Sequence, residues 1–222
     1  MLSEAVFALR TSFGVAAIAQ SITLTLGLLI GVSAGYFGGK VDLVLSRLID
    51  ILFAFPAILV GLLLAATFGQ PMYQLFGPIG RLYVTIAALS LVFWVGTARV
   101  MRGQALSLRE AQFIQAARAT GAGNVWILRK HVLPNVLGTA AVLVSLGFGD
   151  AIGLEAVLSF LGLGVTPPTA SLGQMIQGGE LYVDPYWYQL VVPGGILAVL
   201  VLSFAFLGDG FRDAFDTRMR DV

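Results

Sequence analysis

Two carboxylates stand where a carboxylate is costly. Asp150 and Glu155 interrupt the apolar run 136–163, and no basic residue lies inside that run. An ionisable side chain in such a stretch faces a bundle interior or a hydrated cavity rather than lipid, and is a functional suspect. It can meet a cation or the amine of a peptide, or it can be a hydrogen-bonded structural group. Paired carboxylates also perform acid–base hydrolysis, but five residues apart on a helix these two point about 140° apart round the axis. No catalytic residue is expected. A third acid, Asp50, follows Arg47 by three residues, a spacing that predicts an ion pair on one helix face.

Other chemistries are excluded by residue type. There is no cysteine and a single histidine, His131, so no Cys-ligated metal, thiol nucleophile or His cluster is available. Neither metal nor cofactor is expected. His131 stands beside Arg129 and Lys130 and reads as an interfacial side chain. A phosphate-binding loop of the G-x-x-x-x-G-K-[ST] kind is absent. The nearest fragment, Gly39-Lys40-Val41, lacks the hydroxyl, and Ala34 stands where the first glycine belongs. Work driven by ATP would need the nucleotide to be hydrolysed on another subunit.

The elements that must position these residues are membrane spans. Of 222 residues, 58% are hydrophobic and 11% charged, and mean hydropathy is +0.90, far from a soluble domain. The net charge of +1 gives no bulk attraction to nucleic acid. About 20 apolar residues cross a bilayer, and five such stretches are expected, at 13–35, 48–68, 82–98, 136–163 and 190–207. The connections are too short for a separate soluble domain, so residues 1–222 read as one transmembrane unit. The first stretch lacks a cleavage site and does not read as a leader.

Charge sets the orientation. With the N-terminus outside, eleven of the thirteen basic residues are cytoplasmic and only Arg10 and Arg81 are external, as the positive-inside rule demands. The C-terminus is then cytoplasmic. An external N-terminus with an odd number of spans reads as a unit from which an upstream span is missing. Gly27, Gly31, Gly35 and Gly39 recur every four residues and predict a smooth face for close helix packing. Ser145, Gly149 and Gly153 predict the same device in the fourth span. The external stretch 165–189 holds Pro167-Pro168, Glu180, Asp184-Pro185 and Tyr186-Trp187-Tyr188 without Lys or Arg, and its aromatic cluster suits a membrane–water boundary.

The longest cytoplasmic connection is organised like a folded element. Ser107 and Glu110 have capping-box spacing, so a helix is expected from there to Thr120, with Gly121 ending it in a left-handed turn. Asn124 is placed to cap a second short helix reaching Lys130, and Pro134 to open the next span. The small apolar face of Phe113, Ala116, Ala117 and Thr120 suits a tight protein groove better than acyl chains, so a docking helix is preferred over one resting on lipid headgroups.

Gln115-Ala116-Ala117, then Gly121, then Leu133-Pro134-Asn135 resembles the EAA loop of ABC-importer permeases. Further blocks resemble the same family: residues 34–39 (AGYFGG), Asp42, Arg47, Asp50, Ala54-Phe55-Pro56, Glu155, residues 159–165, Pro167-Pro168, and Leu207-Gly208-Asp209-Gly210 with Arg212-Asp213 and Asp216. Together they single out the C-type permease of dipeptide, oligopeptide and nickel importers, and cover nearly the whole chain. Gln115, Leu172 and Thr217 depart from the family pattern, at places where Glu, Trp and Pro are usual.

The resemblance implies an all-α integral membrane fold, the transmembrane domain of a type I ABC importer. It implies about five spans here, the usual six minus the first, and a cytoplasmic coupling helix in segment 107–134. It implies ATPase docking through Glu110, Gln115, Ala116, Ala117, Gly121, Leu133 and Pro134, with Asp150 and Glu155 as candidate pathway residues. The partners implied are a second permease subunit, two ATPase subunits and an extracytoplasmic substrate-binding protein, in the inner membrane. Short peptides are the default substrate, with nickel chelates or other small solutes as alternatives. A proton-driven secondary transporter using Asp150 and Glu155 is the rival from another class.

Overall fold

The computed structural model describes residues 1–215; Asp216, Thr217, Arg218 and Arg220 lie outside the described residues. Among the described residues every regular element is helical. Five helical stretches are long and apolar enough to cross a membrane: Leu2–Phe37, Ala57–Phe76, Pro78–Arg109, Asn124–Phe160 and Tyr188–Phe215. Only 6% of the most apolar stretch of the last is buried by the chain itself, so that surface needs an apolar medium or a partner.

Helix α1 spans Leu2–Phe37 and α2 spans Gly39–Phe53. Gly38 joins them at φ 66, a left-handed conformation that glycine adopts without strain. A Cβ there would also strike the Arg109 guanidinium. The expected span 48–68 is corrected: α2 ends at Phe53, and a separate helix, α3, runs Ala57–Phe76. Pro56, at φ −58 and ψ 126, lies outside the helical region, and its ring and missing N–H forbid continuation from α2.

Helix α4 spans Pro78–Arg109, which overturns the expected capping box. Ser107 lies inside α4 and so cannot take the extended conformation of an N-cap. The chain turns at Glu110 and Ala111, and helix α5 runs Gln112–Ala119. Helix α6, Asn124–Ile127, passes through a π turn, Leu128–Val132, into helix α7, Leu133–Phe160. Pro134 therefore does not open a new span. The ladder widens one turn before it, where a proline ring would crowd the carbonyl of Lys130.

The stretch expected to be an external loop contains helix α8, Leu172–Glu180, whose N-cap Ser171 accepts from the Gln174 amide. A single turn, α9, Val183–Tyr186, leads into α10, Tyr188–Phe215.

The helices pack into two compact units. The first takes Met1–Ile22, Phe55–Phe93 and Leu146–Phe206. One of its cores gathers Val15, Ala19, Ala65, Leu89, Leu154 and Leu158, and another joins Ala16, Ala151 and Ile152 to Phe148 and Phe204. Arg81 closes one end, donating to the carbonyl of Gly162 at 2.7 Å and to Gln70 at 3.1 Å.

The second unit takes Thr23–Ala54, Trp94–Ser145 and the chain from Leu207. Its main core holds Val32, Tyr36, Met101, Ala105, Ile114, Ile127, Val132 and Val136. The glycine stripe works here as expected for three of its four members. A Cβ at Gly27 would overlap Thr97, one at Gly31 the carbonyl of Ala98, and one at Gly35 the carbonyl of Arg102. Gly39 does not belong to it, because α1 ends at Phe37 and Gly39 has open space around it. In α7 the second stripe also fails in part: Gly149 meets Val201 and Phe204 at ordinary distances, and Gly153 has nothing within 4 Å. The tight glycines of that helix are Gly147, against the side chain of Gln20, and Gly138, against the Phe215 ring.

Candidate functional site

The expected docking segment forms a helix, an elbow and a helix, all in the second unit. Gly121 ends α5 as expected, at φ +84. Its amide donates to the Arg118 carbonyl, and the next amide, of Ala122, reaches back to the Ala117 carbonyl. That pair of bonds is a Schellman motif, which satisfies the last carbonyls of the helix and fixes the direction of exit. Ala117 and Ala122 both lie against the main core.

Asn124 does not cap α6; the N-cap is Gly123, with no side-chain bond. The Asn124 Oδ1 instead accepts from the Tyr36 hydroxyl at 3.0 Å. Ile114 and Ile127, one from each helix, are fully buried and anchor the segment. The opposite surface is open and apolar, with Phe113, Val125 and Trp126 exposed. A groove lined by Val125, Trp126, Arg129 and Lys130 lies beside it. His131 packs its ring against Trp126, 5.1 Å between centroids.

Of the seven residues expected to dock, Gln115, Ala116, Gly121, Leu133 and Pro134 are exposed, and Ala117 is half-buried. Glu110 is exposed but is not on α5; it occupies the turn before it, where the Arg109 Nε donates to its carboxylate at 2.9 Å. Gln115, standing where a glutamate is usual, donates from its side chain to the Glu110 carbonyl at 3.1 Å. It braces the turn from the exposed side.

The two mid-span acids part company. Glu155 is 0% exposed in the first unit. Ser159 donates to its Oε1 at 2.7 Å, and the hydroxyls of Ser12 on α1 and Ser171 before α8 also approach its carboxylate, while Oε2 is buried without a hydrogen bond of ordinary geometry. All three serines are buried. Ser159 further accepts from the Val165 amide at 3.0 Å, and Ser12 from the Leu172 amide at 3.2 Å. Glu155 thus gathers α1, the end of α7 and the start of α8 through neutral donors. Asp150, by contrast, is exposed on α7, so of its two expected surroundings this chain's own interior is excluded. One helix turns the two carboxylates to different sides, as their spacing requires.

The expected Arg47–Asp50 pair is also replaced. Asp50 pairs with Arg99 of α4 at 2.7 Å, and Arg99 covers the Phe53 ring at 4.0 Å. About two turns earlier on α2 and one turn later on α4, Arg102 grips Asp42 with both ends of its fork, at 2.5 and 2.9 Å. That grip holds the Asp42 carboxyl below the usual carboxylate range. Sequence reading missed Tyr36, Ile114 and Arg102 as site-forming residues. Tyr36 and Arg102 act across 88 and 60 residues of chain, and Ile114 is a lone branched residue on a helix whose alanines drew attention to the other face.

Comparison with known proteins follows the same lines. Residues 27–221 match the family described as binding-protein-dependent transport system inner membrane component. The dipeptide transport system permease protein DppC of Lactococcus lactis subsp. cremoris is 39% identical over 98% of this chain and 61% of its own length. The oligopeptide transport system permease protein OppC of Haemophilus influenzae is 38% identical over 90% of this chain and 61% of its own. The chain therefore spans about three fifths of these relatives. Among solved structures, the inward-facing MetNI methionine ABC transporter matches with a TM-score of 0.75 at 20% identity, covering 96% of this chain and 97% of that one. The fold is the all-α transmembrane domain of a type I ABC importer.

Proposed function

This chain belongs to the family of binding-protein-dependent transport system inner membrane components, and from that premise we propose that it is the permease subunit of an ATP-driven importer of di- or oligopeptides. The observation that carries the reading is the docking segment. Two short helices, locked by buried Ile114 and Ile127 and by the Gly121 turn, present an exposed apolar surface of Phe113, Val125 and Trp126. An exposed surface of that kind on a rigid support is what a partner subunit needs.

In this reading residues 1–222 work as one permease domain. Segment 107–134 receives an ATPase subunit through Gln115, Ala116, Ala117, Gly121, Leu133 and Pro134, with Glu110 in the turn beside them. A second permease subunit completes the pathway, two ATPase subunits supply the energy, and an extracytoplasmic binding protein delivers substrate. The chain sits in the inner membrane with its C-terminus cytoplasmic, which the distribution of Lys and Arg supports. Asp150, exposed within an apolar helix, is the pathway residue; Glu155 serves the frame.

The test is gentle solubilisation from the native membrane, mass spectrometry of the co-purifying chains, and an ATPase assay on the complex. Recovery of a second permease and ATPase subunits, with turnover lost in Gly121→Val, is the expected result. A chain recovered alone and without ATPase activity overturns the reading.

A further inference from the structure

Tyr36 is 2% exposed, and its contacts reach both docking helices. Its hydroxyl donates to Asn124 at the start of α6. The Arg118 guanidinium of α5 lies over its ring, 5.2 Å from the centroid. The ring shares one buried cluster with Ile114 of α5, Ile127 of α6, and Met101 and Ala105 of α4.

We propose that Tyr36 is a positioning residue for energy coupling, the tie that passes movement of the docking segment to α1. The proposal rests on the docking reading above. Two of the helices around the segment follow it through the chain itself. Helix α4 precedes α5 by a two-residue turn, and α6 runs on through the π turn into α7. Helix α1 has no such continuity; it follows through its close packing on α4 at Gly31 and Gly35 and through side-chain contacts to the segment itself. Apolar contact is non-directional and lets surfaces slide, whereas a hydrogen bond fixes distance and angle. The bond from Tyr36 to Asn124 is a directed link of this kind between α1 and the segment.

The ring and the hydroxyl are separable. The ring fills the core, and the hydroxyl makes the directed bond, so Tyr36→Phe removes the tie and leaves the packing. The experiment uses the complete importer, this chain with its second permease and both ATPase subunits, in liposomes with its binding protein. Uptake of a labelled tri-alanine peptide and release of phosphate are measured together.

Tyr36→Phe is expected to lower peptide moved per ATP by about fivefold, the change that one hydrogen bond of ordinary net strength supports. Complex assembly and Tm stay as in wild type. Asn124→Ala is expected to do the same, and the double variant to be no worse than either single one. Wild-type uptake per ATP in Tyr36→Phe overturns the proposal, as do effects that multiply in the double variant. Failure of Tyr36→Phe to assemble also overturns it, by making the hydroxyl a stability element. A wild-type complex that hydrolyses ATP without moving peptide fails at an earlier step: it removes the peptide-importer reading, and the Tyr36 assignment with it.

Discussion

The two units hold their helices together by different means. In the first, the fully buried Glu155 carboxylate takes the Ser159 hydroxyl and is approached by those of Ser12 and Ser171, with no cation paired to it among the described residues. In the second, partly exposed carboxylates meet arginines across helices. Where water is near, full charges can be paired at modest cost. Where it is excluded, an acid is retained only if neutral donors surround it. The same residue type, an aspartate or glutamate on a helix, is thus a surface clasp in one unit and an internal frame in the other.

Four substitutions break or sharpen that contrast. Removing the frame has the largest effect: Glu155→Ala strands buried hydroxyls and opens a void, with an expected loss of about 3 kcal/mol or more, read as a fall in Tm of the solubilised protein. Gly31→Ala comes next. The new methyl meets the backbone carbonyl of Ala98, which cannot move aside, and about 2 kcal/mol of stability is expected to be lost.

Breaking the clasp is milder. Asp42→Asn is expected to cost about 1 kcal/mol at neutral pH, since both partners are partly solvated. The sign of its pH dependence follows from the lowered Asp42 pKa. The clasp contributes fully above the ordinary carboxylate range and is lost as pH falls through the lowered value. Acid unfolding profiles should therefore be shallower below about pH 4 in the variant than in the wild type. The smallest effect is a gain. Gly153→Ala adds a methyl to open space in a helix, and about 0.5 kcal/mol of added stability is expected. Equal losses at Gly31 and Gly153 would erase the distinction between a glycine that is packed and one that merely fits a repeat.

The parts legible in the sequence are the parts governed by near neighbours. Hydropathy found five spans, and the Gly121 turn was readable because a left-handed helix end needs only the residues around it. Local patterns misled where a distant group competed. Ser107 and Glu110 have capping spacing, yet a continuing α4 consumed the serine. Asn124 looks like a cap, yet its acceptor is taken by Tyr36, 88 residues away. Asp50 lies one turn from Arg47, yet pairs with Arg99, 49 residues on. Burial of Glu155 was expected from its surroundings, but Ser12 and Ser171 could not be matched to it without the fold.

Ser159 narrows which side chains its position can accept. Its one hydrogen goes to Glu155 and its oxygen receives the Val165 amide, so the hydroxyl has a fixed polarity and cannot turn round. Loss of a single oxygen would take the donor from Glu155 Oε1 and the acceptor from the Val165 amide at once. Threonine keeps both bonds and is the one natural replacement with the same donor and acceptor at the same reach. A change at this position to anything but threonine therefore costs two bonds at once, one to Glu155 and one to the chain that leaves α7.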